Sequence, residues 1–132
     1  MARARWPLQF DCPVIHVYLT LVLGGNKVLR TPLADTGAGN AKVPFELLLE
    51  ENDCLLCTGK PTKVVSLTGA FQGSYPLYLV RIQIPLLSFD DDVAVLGVPT
   101  PLTGVDGIAC FRFLNRFTYG NFANAGELRL EI

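Results

Sequence analysis

Leu33-Ala34-Asp35-Thr36-Gly37-Ala38-Gly39 sets one carboxylate at the end of an apolar strand and inside a glycine-containing turn. A turn by itself accounts for Asp and Gly, since both are favoured there for backbone reasons. The same placement also presents the carboxylate instead of burying it. An isolated Asp ionises near about pH 4 and donates protons poorly above that, so it cannot easily serve as both acid and base. Two carboxylates about 3 Å apart can, because they share one proton: the ionised partner activates a water while the protonated one polarises a carbonyl. The chain holds one Asp-Thr-Gly and no second copy. If this chemistry operates, the other aspartate comes from an identical chain across a two-fold axis.

The flanking sequence is mostly strand-like. Val14 to Leu23 alternates polar and apolar residues and is rich in β-branched and aromatic types, Gly24-Gly25-Asn26 turns the chain, and Lys27 to Ala34 resumes as a second strand. This hairpin delivers the chain to Asp35. Phe45 to Glu51 predicts one or two helical turns, with Pro44 suited to the first. Lys63 to Leu67 and Tyr78 to Ile84 predict strands, and the glycine-bearing loop between them reads as a hairpin tip. Asp90-Asp91-Asp92 reads as a solvated loop without the ligand spacing of a calcium site. Val93 to Val98 predicts a buried strand ended by Pro99 and Pro101. Ile108 to Phe117 has the spacing of a short amphipathic helix, and Glu127 to Ile132 alternates strictly as a terminal strand. The expected class is all-β, or mainly β, with one or two short helices.

Three segments taken in order resemble the retropepsin-like aspartic proteases. They are Asp35-Thr36-Gly37-Ala38 after an apolar strand, the hairpin loop from Thr68 to Gly73, and Gly107-Ile108-Ala109-Cys110-Phe111-Arg112-Phe113-Leu114 before a terminal strand. The resemblance spans about Val14 to Ile132. It implies a closed, barrel-like acid-protease fold, active as a homodimer on a peptide or protein substrate, with no cofactor and no metal. On that analogy Asp35 is the catalytic carboxylate, Thr36 hydrogen-bonds across the dimer, and Gly37 and Ala38 complete the catalytic loop. Thr68, Gly69, Ala70, Phe71 and Gly73 correspond to a substrate-contacting flap. Ile108, Ala109 and Cys110 correspond to the motif that packs behind the catalytic loop, with cysteine where the family usually has glycine. The terminal strand corresponds to part of the dimer interface. Gly39-Asn40 stand where viral members carry acidic residues that contact the peptide, so specificity does not transfer.

Composition bounds these readings. The 132 residues suit one domain, expected over 12–132, with 1–11 as an N-terminal segment whose order the sequence leaves open. Half the residues are hydrophobic and 17% are charged, against roughly 25% in an average soluble protein, which suggests surplus apolar surface and a buried partner interface. A net charge of −1 gives no footprint for nucleic acid or an anionic membrane. The uncharged run from Cys12 to Asn26 is too short to cross a bilayer, and a cytoplasmic protein is the expectation. Cys54 and Cys57 form a lone C-x-x-C without a second pair, and His16 is the only histidine, so free thiols are expected. Cys110 reads as a packed core thiol. A second function fits the same residues: a dimerisation or peptide-binding module that holds an extended segment without cutting it.

Overall fold

The computed structural model describes residues 2–69, 72–99 and 104–132. Among them the alternating segments pair into two sheets. The larger contains β2 (Val17–Thr20), β3 (Lys27–Arg30), β4 (Leu33–Ala34), β5 (Leu47–Glu50), β6 (Lys63–Leu67), β7 (Gly73–Ile84), β8 (Phe89–Val98) and β9 (Gly107–Ala109). Its order is β3-β2-β7-β8-β5-β9-β4, with β6 paired to the first half of β7. The smaller has β11 (Glu127–Glu131) between β1 (Arg3–Pro7) and β10 (Thr118–Gly120). Helix α1 spans Glu51–Thr58, α2 spans Phe111–Leu114, and a 3-10 turn covers Pro85–Leu87. No helix among the described residues is long and apolar enough to cross a membrane.

The main core lies under the concave face of the larger sheet and joins it to the smaller one. Ile15, Val17, Leu19, Leu47, Leu49, Val80, Ile82, Val93 and Val95 pack there with Phe113, Leu114, Leu128 and Leu130. A second cluster of Phe45, Leu48, Leu77, Leu96, Val98, Ile108 and Cys110 fills the other side of β5, β8 and β9. Because β5 faces apolar neighbours on both sides, Leu47-Leu48-Leu49 shows no alternation, and this explains why Leu47–Glu50 form a strand inside the Phe45 to Glu51 stretch where a helix was expected. β5 pairs parallel with β8 and antiparallel with β9. The helix begins at Glu51, where the apolar run stops.

Other departures have equally local causes. The Asp90-Asp91-Asp92 segment is not a loop but the outer end of β8, paired with Arg81, Ile82 and Gln83, and Arg81 Nε sits 2.6 Å from Asp90 Oδ1. Ile108 to Phe117 divides into β9 and the single turn α2, since Ile108 and Ala109 are held between β4 and β5. The second hairpin strand breaks at Thr31-Pro32 into β3 and β4. Residues 3–7 lie within the fold as β1, with Ala4 and Trp6 buried. The larger sheet is a curled half-barrel. The lead-in to β2 meets β4 through the bridge Val14–Leu33, with the Ala34 N–H donating to the Pro13 carbonyl at 2.9 Å and the Ile15 N–H to the Pro32 carbonyl at 3.0 Å.

The surplus apolar residues are mostly inside. The accessible surface is 7111 Å², close to the roughly 6,800 Å² expected of a compact monomer of this mass. Leu128 and Leu130 of β11 are buried by their own chain, and β1 and β10 occupy both edges of that strand. Among the described residues β10 pairs with Arg129 to Glu131 and β1 with all of β11, while Ile132 beyond the strand is exposed. Exposed apolar side chains gather instead at Val22 and Leu23 of the β2–β3 hairpin and Leu55 and Leu56 of α1.

Candidate active site

Asp35 follows β4, whose two residues run parallel to β9 with Leu33 opposite Ile108 and Ala34 opposite Ala109. The ladder extends one step further, because the Asp35 N–H donates to the Ala109 carbonyl at 2.9 Å. Beyond that point the chain turns: the Ala38 N–H donates to the Asp35 carbonyl at 3.1 Å, and the Gly37 N–H donates to Asp35 Oδ1 at 2.9 Å. One carboxylate oxygen is thus held by the backbone, and the side chain stays half-buried at the mouth of the turn. A Cβ on Gly37 would lie 3.2 Å from that same oxygen, so the position suits glycine for space. Thr36 is exposed, and its hydroxyl makes no hydrogen bond among the described residues. The Ala38 carbonyl accepts the Phe111 N–H at 2.9 Å, which ties the turn to the start of α2.

A cavity of about 480 Å³ opens in front of the carboxylate. Asp35, Gly37 and Ala38 form its floor, with Val43, Phe45 and Ile108 as apolar walls. Ser66, Leu67 and Thr68 border it from the β6–β7 hairpin. In that hairpin Leu67 is opposite Gly73, and Gly69 and Gly73 both take positive φ. Ala70 and Phe71 lie outside the described residues.

The loop from Gly39 to Glu46 is anchored by charges that sequence reading passed over. Glu46 is 4% exposed; Arg116 Nε and Nη2 donate to its two oxygens at 3.0 and 2.8 Å, and Arg112 Nη1 donates to the Val43 carbonyl at 3.0 Å. The Glu46 carbonyl accepts the Cys110 N–H at 3.0 Å. A lone Glu heading an apolar run was the available signal, and its partner seventy residues later was not visible. On the far side, Asp53 of α1 is bound by both Nε and Nη2 of Arg30, at 2.8 and 2.9 Å, which joins α1 to the β2–β3 hairpin and raises the Arg30 pKa.

At Cys110, where the resemblance would place a glycine, the backbone is ordinary: φ −81° and ψ 169°. No left-handed conformation demands glycine. The thiol packs into the second core cluster, and burial, helped by the Asp35 charge, pushes its pKa up to about 12. Cys54 and Cys57 sit on α1, which directly follows β5, so the strand–helix context missing from the sequence reading is present. Yet both cysteines are in the body of the helix, and burial raises them to about 12 and about 11. Neutral thiols of that kind are poor nucleophiles.

No protein-family model matches the chain, and no curated protein matches it by sequence. Among solved structures it is similar to a retropepsin-like aspartic protease from Rickettsia conorii, at a TM-score of 0.62 and 15% identity. The match covers 97% of this chain and 89% of that one. At this identity the likeness is one of fold: the chain has a retropepsin-like fold.

Proposed function

We propose that the protein is an aspartic endopeptidase whose dyad is one Asp35 from each of two identical chains. The reading is carried by a single observation: Asp35 follows a short strand braced by β9, with one oxygen held by Gly37 and the carboxylate lining a cavity of about 480 Å³. A two-fold axis beside the exposed Thr36-Gly37 turn would bring the two carboxylates together. They then share one proton; the ionised group takes a proton from a water as the water oxygen attacks the scissile carbonyl, the protonated group hydrogen-bonds the carbonyl oxygen, and on collapse of the adduct the C–N bond breaks as the dyad returns that proton to the leaving amine, which releases an acid and an amine. Thr36, whose hydroxyl makes no hydrogen bond among the described residues, bonds the opposite loop. The β6–β7 hairpin serves as the flap over an extended substrate.

The test is cleavage of a peptide pool across about pH 3 to 7, with and without a statine-type inhibitor, because a shared-proton dyad works in its mixed ionisation state. Asp35→Asn removes that proton chemistry with little change of shape and should lower the rate by at least about 100-fold, with the folded state retained by circular dichroism. Wild-type rates in Asp35→Asn would overturn the assignment. A dimer that binds the inhibitor yet cleaves nothing in the pool would assign the cleft to peptide holding.

A further inference from the structure

Among the described residues no strand pairs with the outer edge of β1, and the register of the small sheet shows what that edge presents. The Ile132 N–H donates to the Ala2 carbonyl and the Leu8 N–H to the Gly126 carbonyl, both at 3.1 Å, outside a ladder in which Arg3 faces Glu131, Arg5 faces Arg129 and Pro7 faces Glu127. Bonded pairs alternate in an antiparallel ladder, so Ala2, Ala4, Trp6 and Leu8 turn their backbone groups toward β11. Arg3 and Arg5 turn theirs outward, to the free edge. Pro7, without an N–H, closes that edge at one end.

The side chains of the same residues collect positive charge. Arg3 and Arg5 are exposed on the outer face. Arg129 stands directly across from Arg5, a like-charge pair that destabilises a sheet unless something neutralises it. Its guanidinium is stacked at 3.7 Å on Phe122, and its Nε, although 3.4 Å from Glu131 Oε2, makes no hydrogen bond. Arg3, Arg5 and Arg129 line a cavity of about 560 Å³ together with Leu86, which is 64% exposed. Glu127 and Glu131 share this face, Glu131 opposite Arg3 and 3.4 Å from Arg129, which leaves Arg5 as the arginine with no carboxylate directly opposite or paired to it; none of the three arginines borders the cavity at Asp35.

We infer that the open edge of β1 is a docking site for an extended segment carrying acidic side chains at alternate positions, which adds to the small sheet as a fourth strand. The main chain of such a segment bonds the outward N–H and C=O groups of Arg3 and Arg5. Its carboxylates meet the arginines in charge-assisted hydrogen bonds and relieve the Arg5–Arg129 repulsion. Leu86 supplies the apolar contact. A second copy of this chain is the wrong partner, since antiparallel pairing of two β1 edges sets Arg3 and Arg5 against their own kind.

The experiment uses the full chain carrying Asp35→Asn, so that no peptide is consumed, and fluorescein-labelled Val-Glu-Val-Glu-Val-Glu amide as the probe. Fluorescence anisotropy should show saturable one-to-one binding that weakens at least about ten-fold between about 50 and 500 mM NaCl. Adding Arg3→Gln and Arg5→Gln should weaken it at least about ten-fold with an unchanged circular dichroism spectrum, and the Lys-for-Glu peptide should not bind. N-methylation of one alternate set of peptide residues should abolish binding, and of the other set should leave it intact. Amide shifts in NMR should centre on residues 3–5 and 129–131. Equal binding of the lysine peptide, equal effects of both N-methylated sets, shifts centred on Asp35 to Gly39, or no binding at millimolar probe would each overturn the proposal.

Discussion

Cys110 carries two expectations that follow from its packing and its backbone. Its side chain fills space between Ile108, Phe45 and Leu48, in an extended backbone that needs no glycine. Cys110→Ala should therefore destabilise the chain by about 1 kcal/mol through lost packing, measured by urea denaturation. Cys110→Gly should cost more, because backbone freedom is added to the cavity. If Cys110→Gly instead stabilised the protein, the packing account would be wrong. The four thiols should also separate kinetically. A thiol reagent under native conditions at neutral pH should label exposed Cys12 rapidly and reach Cys54 and Cys110 only on unfolding, since both are fully buried and held protonated. Asp35 was legible as a single residue because Asp-Thr-Gly is local. That a Cβ at Gly37 would crowd the carboxylate, 3.2 Å from Asp35 Oδ1, was not.

At the scale of elements, the candidate site depends on β9 passing between β4 and β5 and on the clamp beneath it. A Cβ at Gly107 would come 2.1 Å from the Leu48 carbonyl oxygen. Gly107→Ala must displace β9 from β5, at a cost of about 3 kcal/mol or more. It should shift Asp35 along with it, through the Asp35–Ala109 bond, so an unaltered melting curve would contradict the register described here. The Glu46–Arg116 pair makes a similar claim. Arg116→Ala leaves a buried carboxylate with only the more distant Arg112 at 3.8 Å, and stability should fall by about 2–3 kcal/mol in urea denaturation. No comparable loss would mean that the pair is solvated and idle. Sequence periodicity found β6, the later part of β7, the inner part of β8 and β11, where one face is wet and the other dry or where a short apolar run stands alone. It failed at Leu47-Leu48-Leu49 because a strand covered on both faces has no alternation to read.

For the whole molecule, the raised thiols tie stability to alkaline pH. In the unfolded chain these groups ionise near 9, whereas the fold keeps Cys54 and Cys110 protonated to about 12 and Cys57 to about 11. The folded state therefore holds more protons above pH 9. Its stabilisation is complete below that value and is lost as pH rises from about 9 toward 12, by up to about 1 kcal/mol per pH unit for each buried thiol. Urea midpoints should fall between pH 8 and 10.5, and the double substitution Cys54→Ala, Cys110→Ala should flatten that fall. A pH-independent midpoint would count against the assigned environments.

The sequence by itself determined the mainly β class, the carboxylate in its turn and the two glycines of the β6–β7 hairpin, because turn chemistry and strand alternation act over a few residues. Tertiary structure decided the rest. Only the fold brings β9 under Asp35, sets Arg116 on Glu46, and wraps β1 and β10 around the terminal strand. That last contact changes the meaning of the low charge content. Of the apolar residues along Glu127 to Ile132, Leu128 and Leu130 are buried within the chain and Ile132 is exposed; alternation says that one face of a strand is dry but not which surface covers it.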